Sequence, residues 1–218
     1  MAIPKPAAER LSQLARLLEQ STRPDKPVSS TELEQLTGWS SHTIRKDISA
    51  LESNADFSTT AGYTPAALAA AIREKLGYTD ELSKCCIVGL GQLGTAFLNY
   101  PAFNGSPYTL CAGFDSNVNR IEILKAPFPL FPAYRMKEQI PRLGITFAIL
   151  CVPGEQAQST ADKLVECGIR GIVNFTTSIL TVPAGVEVEN VSLVDALGLL
   201  AARLAIHTVK SNPTRSET

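Results

Sequence analysis

Three glycines near the middle of the chain have the spacing of a phosphate-binding loop. An apolar run at residues 85–88 ends in Gly89-x-Gly91-x-x-Gly94, and a helix-like segment follows at once. The first glycine permits a tight turn, the second lets a pyrophosphate approach bare backbone, and the third lets helix and strand pack closely. The helix N-terminus adds free N–H groups and a positive dipole. The pattern predicts a dinucleotide site that also includes Gln92 and Leu93.

An acidic residue stands where such a site needs one. A second apolar run ends in Phe114-Asp115, and the acid of this fingerprint is expected about 20 residues beyond the loop. A carboxylate at the tip of the second strand accepts hydrogen bonds from a ribose diol, which favours NAD over NADP. Coenzyme A is an alternative ligand, but Asp115 favours the diol.

Two later strand ends offer further contacts for the cofactor. Val152-Pro153 ends one apolar run with a turn where a nicotinamide ribose would pass, and Asn174-Phe175 ends the next run. Ligands bind at the carboxyl ends of parallel strands, so both pairs are predicted contacts. Phe175 fits a core aromatic equally well, and both interpretations stand.

The chain offers no evident catalytic group beside this site. His207 lies in a C-terminal helical segment without an acid at helical spacing, and His42 lies far away in the N-terminal part. No Ser…Tyr-x-x-x-Lys run is present. The absence of a catalytic group favours a protein that senses the cofactor and does not use it in a reaction. A small NAD-dependent oxidoreductase is the alternative. No cluster of metal-ligating residues predicts a metal site.

From residue 84 onward, apolar runs alternate with helical patterns, which is typical of a parallel sheet with helical crossovers. We predict a Rossmann-like α/β domain at 84–218, ending in a frayed tail at 211–218. Its strands are expected at 84–89, 109–114, 146–151, 171–174 and 187–191, with helices at 92–100, 155–167 and 193–208.

The N-terminal module, residues 1–83, has helical periodicity. A first helix of about four turns precedes a Pro24–Pro27 turn, and a capping box opens a second at 31–36, which Gly38 ends. A third helix follows at about 42–51, so the order is that of a helix-turn-helix. A hairpin or loop at 52–62, a helix at 64–77 and a linker at 78–83 complete the predicted helix-turn-helix domain.

The third helix would be the recognition helix. Arg45 could reach a guanine edge, while Lys46, Ser41 and Thr43 suit phosphates. A merely solvated helix face is the alternative for the two cations. His42 is interpreted as a surface residue.

Net charge and cysteine content restrict the binding partners and the location of the protein but do not identify a partner. The net charge of the 218 residues is −1, and nine Lys and Arg against eleven Asp and Glu leave the N-terminal module at −2. DNA contact must therefore depend on local placement of cations. The five cysteines are scattered, without a CxxC pair, which favours reduced thiols and a cytoplasmic location. No apolar run is long enough for a membrane span.

The C-terminal helical segment is apolar on more than one face. Such a helix needs burial, and a second copy of the chain supplies it, so we expect a homodimer through the Rossmann domain and this helix. Its apolar residues are Leu193, Val194, Leu197, Leu199, Leu200, Leu204 and Ile206, preceded by Val191.

Taken together, these residues resemble the Rex family of redox-sensing transcriptional repressors over nearly the whole chain. The N-terminal matches are Ile3-Pro4-Lys5-Pro6, Arg10-Leu11, Val28-Ser29-Ser30-x-Glu32-Leu33 and Thr43-Ile44-Arg45-Lys46-Asp47. The later matches are Gly89-x-Gly91-x-Leu93-Gly94-x-Ala96, Tyr100, Phe114-Asp115, Val152-Pro153, Ala157-Gln158, Gly168-Ile169-x-Gly171-Ile172-x-Asn174-Phe175 and Val182-Pro183.

The resemblance implies a homodimer with winged-helix heads, a Rossmann body and exchanged C-terminal helices. It implies binding to operator DNA when apo or with NAD⁺, and release when NADH closes the dimer. It also implies that Arg45 and Lys46 touch DNA and that Arg16 and Tyr100 couple the head to the cofactor.

The chain departs from the family pattern at three places. The family's glycine-rich, basic wing is replaced by a slightly acidic stretch at 52–63. Where the family has a switch aspartate near the start of its last helix, this chain has Ser192, with Asp195 three residues further on. Where the family has a small residue followed by proline, this chain has Thr176-Thr177. We therefore expect an NADH-sensing repressor. A divergent NAD(H)-binding dimer that acts through protein partners is the alternative.

Overall fold

The computed structural model describes residues 3–51, 62–77 and 82–210, and at 207–210 it describes the backbone alone. The chain divides into two compact units, Met1–Glu81, here called the head, and Leu82–Thr218, here called the body. The hairpin or loop expected at 52–62 lies outside the described residues except for Gly62, as do most of the predicted linker and the tail at 211–218. Across the described ranges no helix has the length and apolarity to cross a membrane.

Four helices build the described part of the head. They are α1 (Lys5–Glu19), α2 (Ser30–Thr37), α3 (Ser41–Ser49) and α4 (Pro65–Lys75). The capping box at Ser29 and Glu32 forms as expected, and Gly38 ends α2 in the left-handed conformation at φ 74°. The predicted order of helix, tight turn and helix is therefore present.

The core of the head consists of one apolar stripe from each helix. Members of this stripe are Leu11, Leu14, Leu18, Leu33, Ile44, Ile48, Leu68 and Ile72, all buried. Val28 and Tyr63 form an isolated antiparallel bridge, and Tyr63 is part of the same core. The spacing of these residues at three and four positions explains why the sequence forms helices here.

The body is a six-stranded, wholly parallel sheet in the order β3-β2-β1-β4-β5-β6. The strands are β1 (Ser83–Val88), β2 (Tyr108–Asp115), β3 (Leu130–Pro132), β4 (Phe147–Leu150), β5 (Gly171–Asn174) and β6 (Glu187–Asn190). The helices are α5 (Gln92–Phe97), α6 (Val118–Ile123), α7 (Met136–Leu143), α8 (Gly154–Glu166) and α9 (Leu193–Lys210). The Rossmann-like fold class is confirmed.

The sequence-based prediction missed β3, α6 and α7. β3 is three residues long and contains Pro132, and α7 contains Pro141 in its interior, so the proline rules speak against both elements. α6 has only six residues, too few for a periodic signal. The predicted helix at 92–100 was too long, because α5 stops at Phe97 and a 3₁₀ turn follows at Pro101–Phe103.

Apolar clusters cover both faces of the sheet. On one face α7 and α8 contribute Met136, Ile140, Ala157, Ala161 and Leu164. On the other face the cluster includes Ile87, Leu90 and Leu98. β1 and β4 are adjacent, so their carboxyl ends open one crevice where the strand order reverses, the usual ligand position in such sheets.

Candidate dinucleotide site and DNA-binding face

The glycine loop between β1 and α5 is shaped by close packing of backbone. Gly89 has φ +90°, and a Cβ there would lie 2.7 Å from the carbonyl of Cys151 at the end of β4. A Cβ at Gly94 would lie 1.9 Å from the carbonyl oxygen of Gly89. By contrast, no described atom lies within 4 Å of the Cβ position of Gly91. The first and third glycines are therefore required by the fold, and the second leaves space for a ligand.

The start of α5 faces this space. Gly91 is the N-cap of the helix, and Thr95 anchors the turn by donating its hydroxyl to the Leu90 carbonyl at 2.8 Å. Gln92 and Leu93 are exposed and lie in the first turn of α5. The backbone N–H groups of a first turn have no acceptor within the helix, so they are available to a phosphate.

Asp115 lies at the tip of β2 and is only 4% exposed. Its Oδ2 accepts the N–H of Leu90 at 2.6 Å and the guanidinium Nη1 of Arg120 at 2.9 Å, while its Oδ1 accepts the N–H of Asn117 at 2.7 Å. The carboxylate thus ties the glycine loop to the start of α6. Sequence reasoning assigned Asp115 to the ribose alone, and the structure adds this second task.

A cleft of about 670 Å³ joins these parts. Five predicted residues line it, namely Gly89, Gly91, Asp115, Val152 and Pro153. Sequence reasoning missed Arg120 of α6 and four residues of α8, which are Gln156, Ser159, Thr160 and Lys163. The α8 residues follow one another at helical spacing and face the cleft together, a signal that was present in the sequence.

Cys151 also lines the cleft, but it is not a reactive thiol. Burial raises the pKa of Cys151 to about 12, so the thiol stays protonated near neutral pH. Its neighbour Val152 continues the wall toward the N-terminus of α8.

Asn174 and Phe175 do not line this cleft. The amide of Asn174 is buried and fully engaged, donating to the carbonyl of Ser178 and to Asn190, and accepting from Thr176. Phe175 packs on Phe97 with ring centroids 5.1 Å apart, so the core-aromatic interpretation describes the observed packing.

The two residues expected to couple the units are each described within their own unit. Arg16 lines a small cleft of about 280 Å³ between α1 and the end of α2. Tyr100 is half-exposed and packs edge-on against Phe97 and Phe103, at 5.8 and 6.2 Å between centroids. Tyr100 therefore belongs to the same aromatic cluster as Phe175.

The helix α3 turns a polar face outward from the head. Arg45 and Lys46 are exposed, and Arg45 donates to Ser30 of α2 at 3.0 Å. On the inner side Asp47, 7% exposed, accepts two hydrogen bonds from Arg10, at 2.7 and 3.0 Å. This bidentate pair fixes the rotation of α3 about its axis.

The two hydroxyl residues of the predicted DNA face are used partly within the head. The hydroxyl of Thr43 lies 2.9 Å from that of Ser40, which caps the helix by accepting the Thr43 N–H. Ser41 is half-buried, and its N–H donates to Glu34 of α2 at 3.0 Å. The two cations are therefore the more accessible members of the predicted set.

Two family models match separate parts of the chain. The model described as "CoA binding domain" matches residues 80–178, and that described as "Putative DNA-binding protein N-terminus" matches residues 2–49. The first range contains the residues that line the cleft of the body, and the second contains α1, α2 and α3.

Known proteins match the chain as a whole. The redox-sensing transcriptional repressor Rex of Limosilactobacillus fermentum is 34% identical over 99% of this chain and 96% of its own length. The crystal structure of RSP with β-NADH has a TM-score of 0.84 at 32% identity, covering 98% of this chain and 100% of RSP. The structure of RSP with β-NAD⁺ and operator DNA has a TM-score of 0.82 with the same identity and coverage.

Sequence identity, full-length coverage and the shared two-part fold agree, and the chain belongs to the Rex family of redox-sensing transcriptional repressors.

Proposed function

We propose that this chain is a transcriptional repressor that binds operator DNA, senses the NADH/NAD⁺ ratio and leaves the operator when NADH binds. One observation carries the proposal: a single chain joins a dinucleotide cleft at the carboxyl edge of a parallel sheet to an outward cationic face on a helix-turn-helix. Two relatives that it matches over 96% and 86% of their length are redox-sensing transcriptional repressors.

The cofactor of the proposed site is NAD(H). Gly91 leaves the space for the pyrophosphate, with Gly89, Gln92, Leu93 and Gly94 forming the surrounding turn. The remaining carboxylate capacity of Asp115 suits a ribose hydroxyl, because its three observed hydrogen bonds leave one acceptor site open. Val152 and Pro153 would contact the nicotinamide half, with Asn174 and Phe175 supporting them from β5.

The head is the proposed DNA-binding domain, residues 1–83, and the remainder at 84–218 the cofactor-binding and dimerisation domain. Arg45 and Lys46 would supply the main contacts to DNA, with Ser41 and Thr43 at the phosphates. The repressor RSP has been crystallised with operator DNA, which supports a DNA role for the corresponding head here.

A homodimer accounts for the exposed apolar surface of α9. Leu193, Val194, Leu197 and Leu204 are each at least 65% exposed in the single chain. Exposed leucines in such number are unusual for a monomer. A second copy, packed through the body and this helix, would bury them.

The proposed switch couples the two units through Arg16 of the head and Tyr100 of the body. Ser192 caps α9 by accepting the N–H of Asp195 at 3.1 Å, so its hydroxyl has a structural use. Asp195 is exposed in the first turn of α9 and carries the negative charge that an arginine partner requires. In this proposal Asp195 takes the place of the family's switch aspartate.

The proposal is tested with the purified protein and its own upstream DNA, titrated with NADH and NAD⁺ at two salt concentrations. Because NADH must bind the DNA-incompetent state more tightly, it should release the DNA, while NAD⁺ should not. Binding should weaken with added salt, as phosphate contacts require. Failure of NADH to release specifically bound DNA would contradict the redox mechanism.

One observation favours the second candidate, a dimer that binds NAD(H) without specific DNA binding. The Glu34 carboxylate lies at the N-terminus of α3, where a DNA phosphate would otherwise be attracted. In the same titration, NADH binding without sequence-specific DNA binding under any condition would support this candidate.

A further inference from the structure

One exposed side chain of the recognition helix has no task in the site described above. His42 lies in the first turn of α3, and its side chain is exposed. It shares the outward face with Arg45 and Lys46, three and four residues further on, opposite the buried Ile44 and Ile48. The helix therefore presents an imidazole and two cations on one face.

The other polar groups of this first turn are engaged within the head. Ser40 and Thr43 bond to each other, and the N–H of Ser41 donates to Glu34. In the part of the chain that the structure describes, no hydrogen bond or ion pair joins the side chain of His42 to another residue. His42 is thus the outward polar side chain nearest the N-terminus of the helix.

The position of His42 matters because a helix-turn-helix places the N-terminal residues of its second helix against base edges in the major groove. Arg45 lies one turn later and bonds to Ser30 of α2, so it is held toward that helix. A neutral imidazole has one N–H donor and one ring acceptor, which suits the acceptors and donors of a purine edge.

We infer that His42 contacts a base edge in the major groove and sets the operator preference at one base pair of each half-site. The inference rests on the proposed DNA-binding function, and it assigns a specificity role to a residue that sequence reasoning treated as surface only.

The test selects sequences from a randomised DNA duplex library with the wild-type protein and with His42→Ala, followed by fluorescence anisotropy on the wild-type winner. His42→Ala should lose the preference at one base pair of each half-site and bind the winner about tenfold more weakly. Its affinity for non-specific duplex and its salt dependence should stay unchanged, because no phosphate contact is lost.

Glu74→Gln is the matched control, since Glu74 is an exposed residue of α4 outside the helix-turn-helix. It should keep the wild-type preference, and both variants should bind NADH normally. An unchanged preference in His42→Ala would overturn the inference. So would a uniform loss of affinity with a smaller salt slope, which would mark a phosphate contact. A wild-type protein that selects no sequence would instead refute the proposed function and the inference with it.

Discussion

At the scale of single residues, the three glycines of the loop have different physical tasks. Gly94 faces the Gly89 carbonyl at a distance that no side chain tolerates, whereas Gly91 faces open space. The first contact is a requirement of folding, and the open space is a requirement of binding. Substitutions at the two positions should therefore separate stability from cofactor affinity.

Gly91→Ala should leave the protein folded but weaken NADH binding by about tenfold or more, a loss of about 1.4 kcal/mol. Its φ of −68° suits alanine, and the added methyl group occupies the pyrophosphate position. Gly94→Ala should lower the free energy of unfolding by about 2 kcal/mol, because the backbone must move. NADH fluorescence titration and urea unfolding measure the two effects. Equal affinity of Gly91→Ala and wild type for NADH would refute the assignment.

Asp115→Ala should lower both NADH affinity and stability. It leaves the N–H groups of Leu90 and Asn117 without their acceptor, which costs about 2 kcal/mol or more. Arg120→Ala is the control: it removes only one of the three hydrogen bonds that Asp115 accepts, so it should cost less, about 1 kcal/mol. Urea unfolding followed by circular dichroism compares them, and equal stability losses would contradict a role of Asp115 in tying the loop to α6.

At the scale of elements, the orientation of α3 depends on an ion pair across the head. Arg10 of α1 and Asp47 of α3 are joined by two parallel hydrogen bonds, and the Asp47 side chain is 9% exposed. A planar, bidentate pair restricts rotation more than a single contact does. It therefore stabilises the rotation of α3 that leaves Arg45 and Lys46 exposed.

Asp47→Ala should destabilise the head by about 2 kcal/mol, since it leaves a partly buried guanidinium without its partner. Trp39 is the single tryptophan of the chain and packs against the head core, so its fluorescence reports head unfolding. Glu19→Ala breaks the more exposed pair with Arg73 and should cost less than about 1 kcal/mol. A loss at Asp47 no larger than at Glu19 would contradict the anchoring role.

At the scale of the whole molecule, the apolar side chains of α9 are largely exposed in the single chain. Leu197 and Leu204 are 65% and 68% exposed and lie on one stripe of the helix with Leu193 and Leu200. Burial of each leucine contributes about 2 kcal/mol, so a second copy gains much by covering them.

The double variant Leu197→Asp with Leu204→Asp should be monomeric, because two charges would have to be buried in the dimer contact. Asn119→Asp adds a charge to exposed α6 and should leave the dimer intact. Sedimentation equilibrium distinguishes the two. If the double variant sediments as a dimer, the proposed interface is wrong.

Coupling between the two units should be reciprocal. If NADH releases the operator, bound operator must weaken NADH binding by the same factor. Titration of NADH with and without a saturating DNA duplex measures this factor. Identical NADH affinity in both titrations would exclude the proposed mechanism.

Features that depend on near neighbours could be predicted from the order of the residues. The glycine loop, the capping box at Ser29 and the turn at Gly38 follow from backbone geometry and hydrogen bonds within a few residues, so they could be predicted. The two-part organisation followed from a change of periodicity along the chain. The resemblance to a family added the partners.

Contacts between groups that are distant in the sequence depend on the complete fold. The ion pair of Arg10 with Asp47, the contact of Leu90 with Asp115 and the α8 wall of the cleft join positions far apart in the chain. β3 and α7 form despite their prolines, because sheet pairing and core packing outweigh a weak local preference. Local rules cannot register such contacts, since their free energy appears only when the chain has brought the partners together.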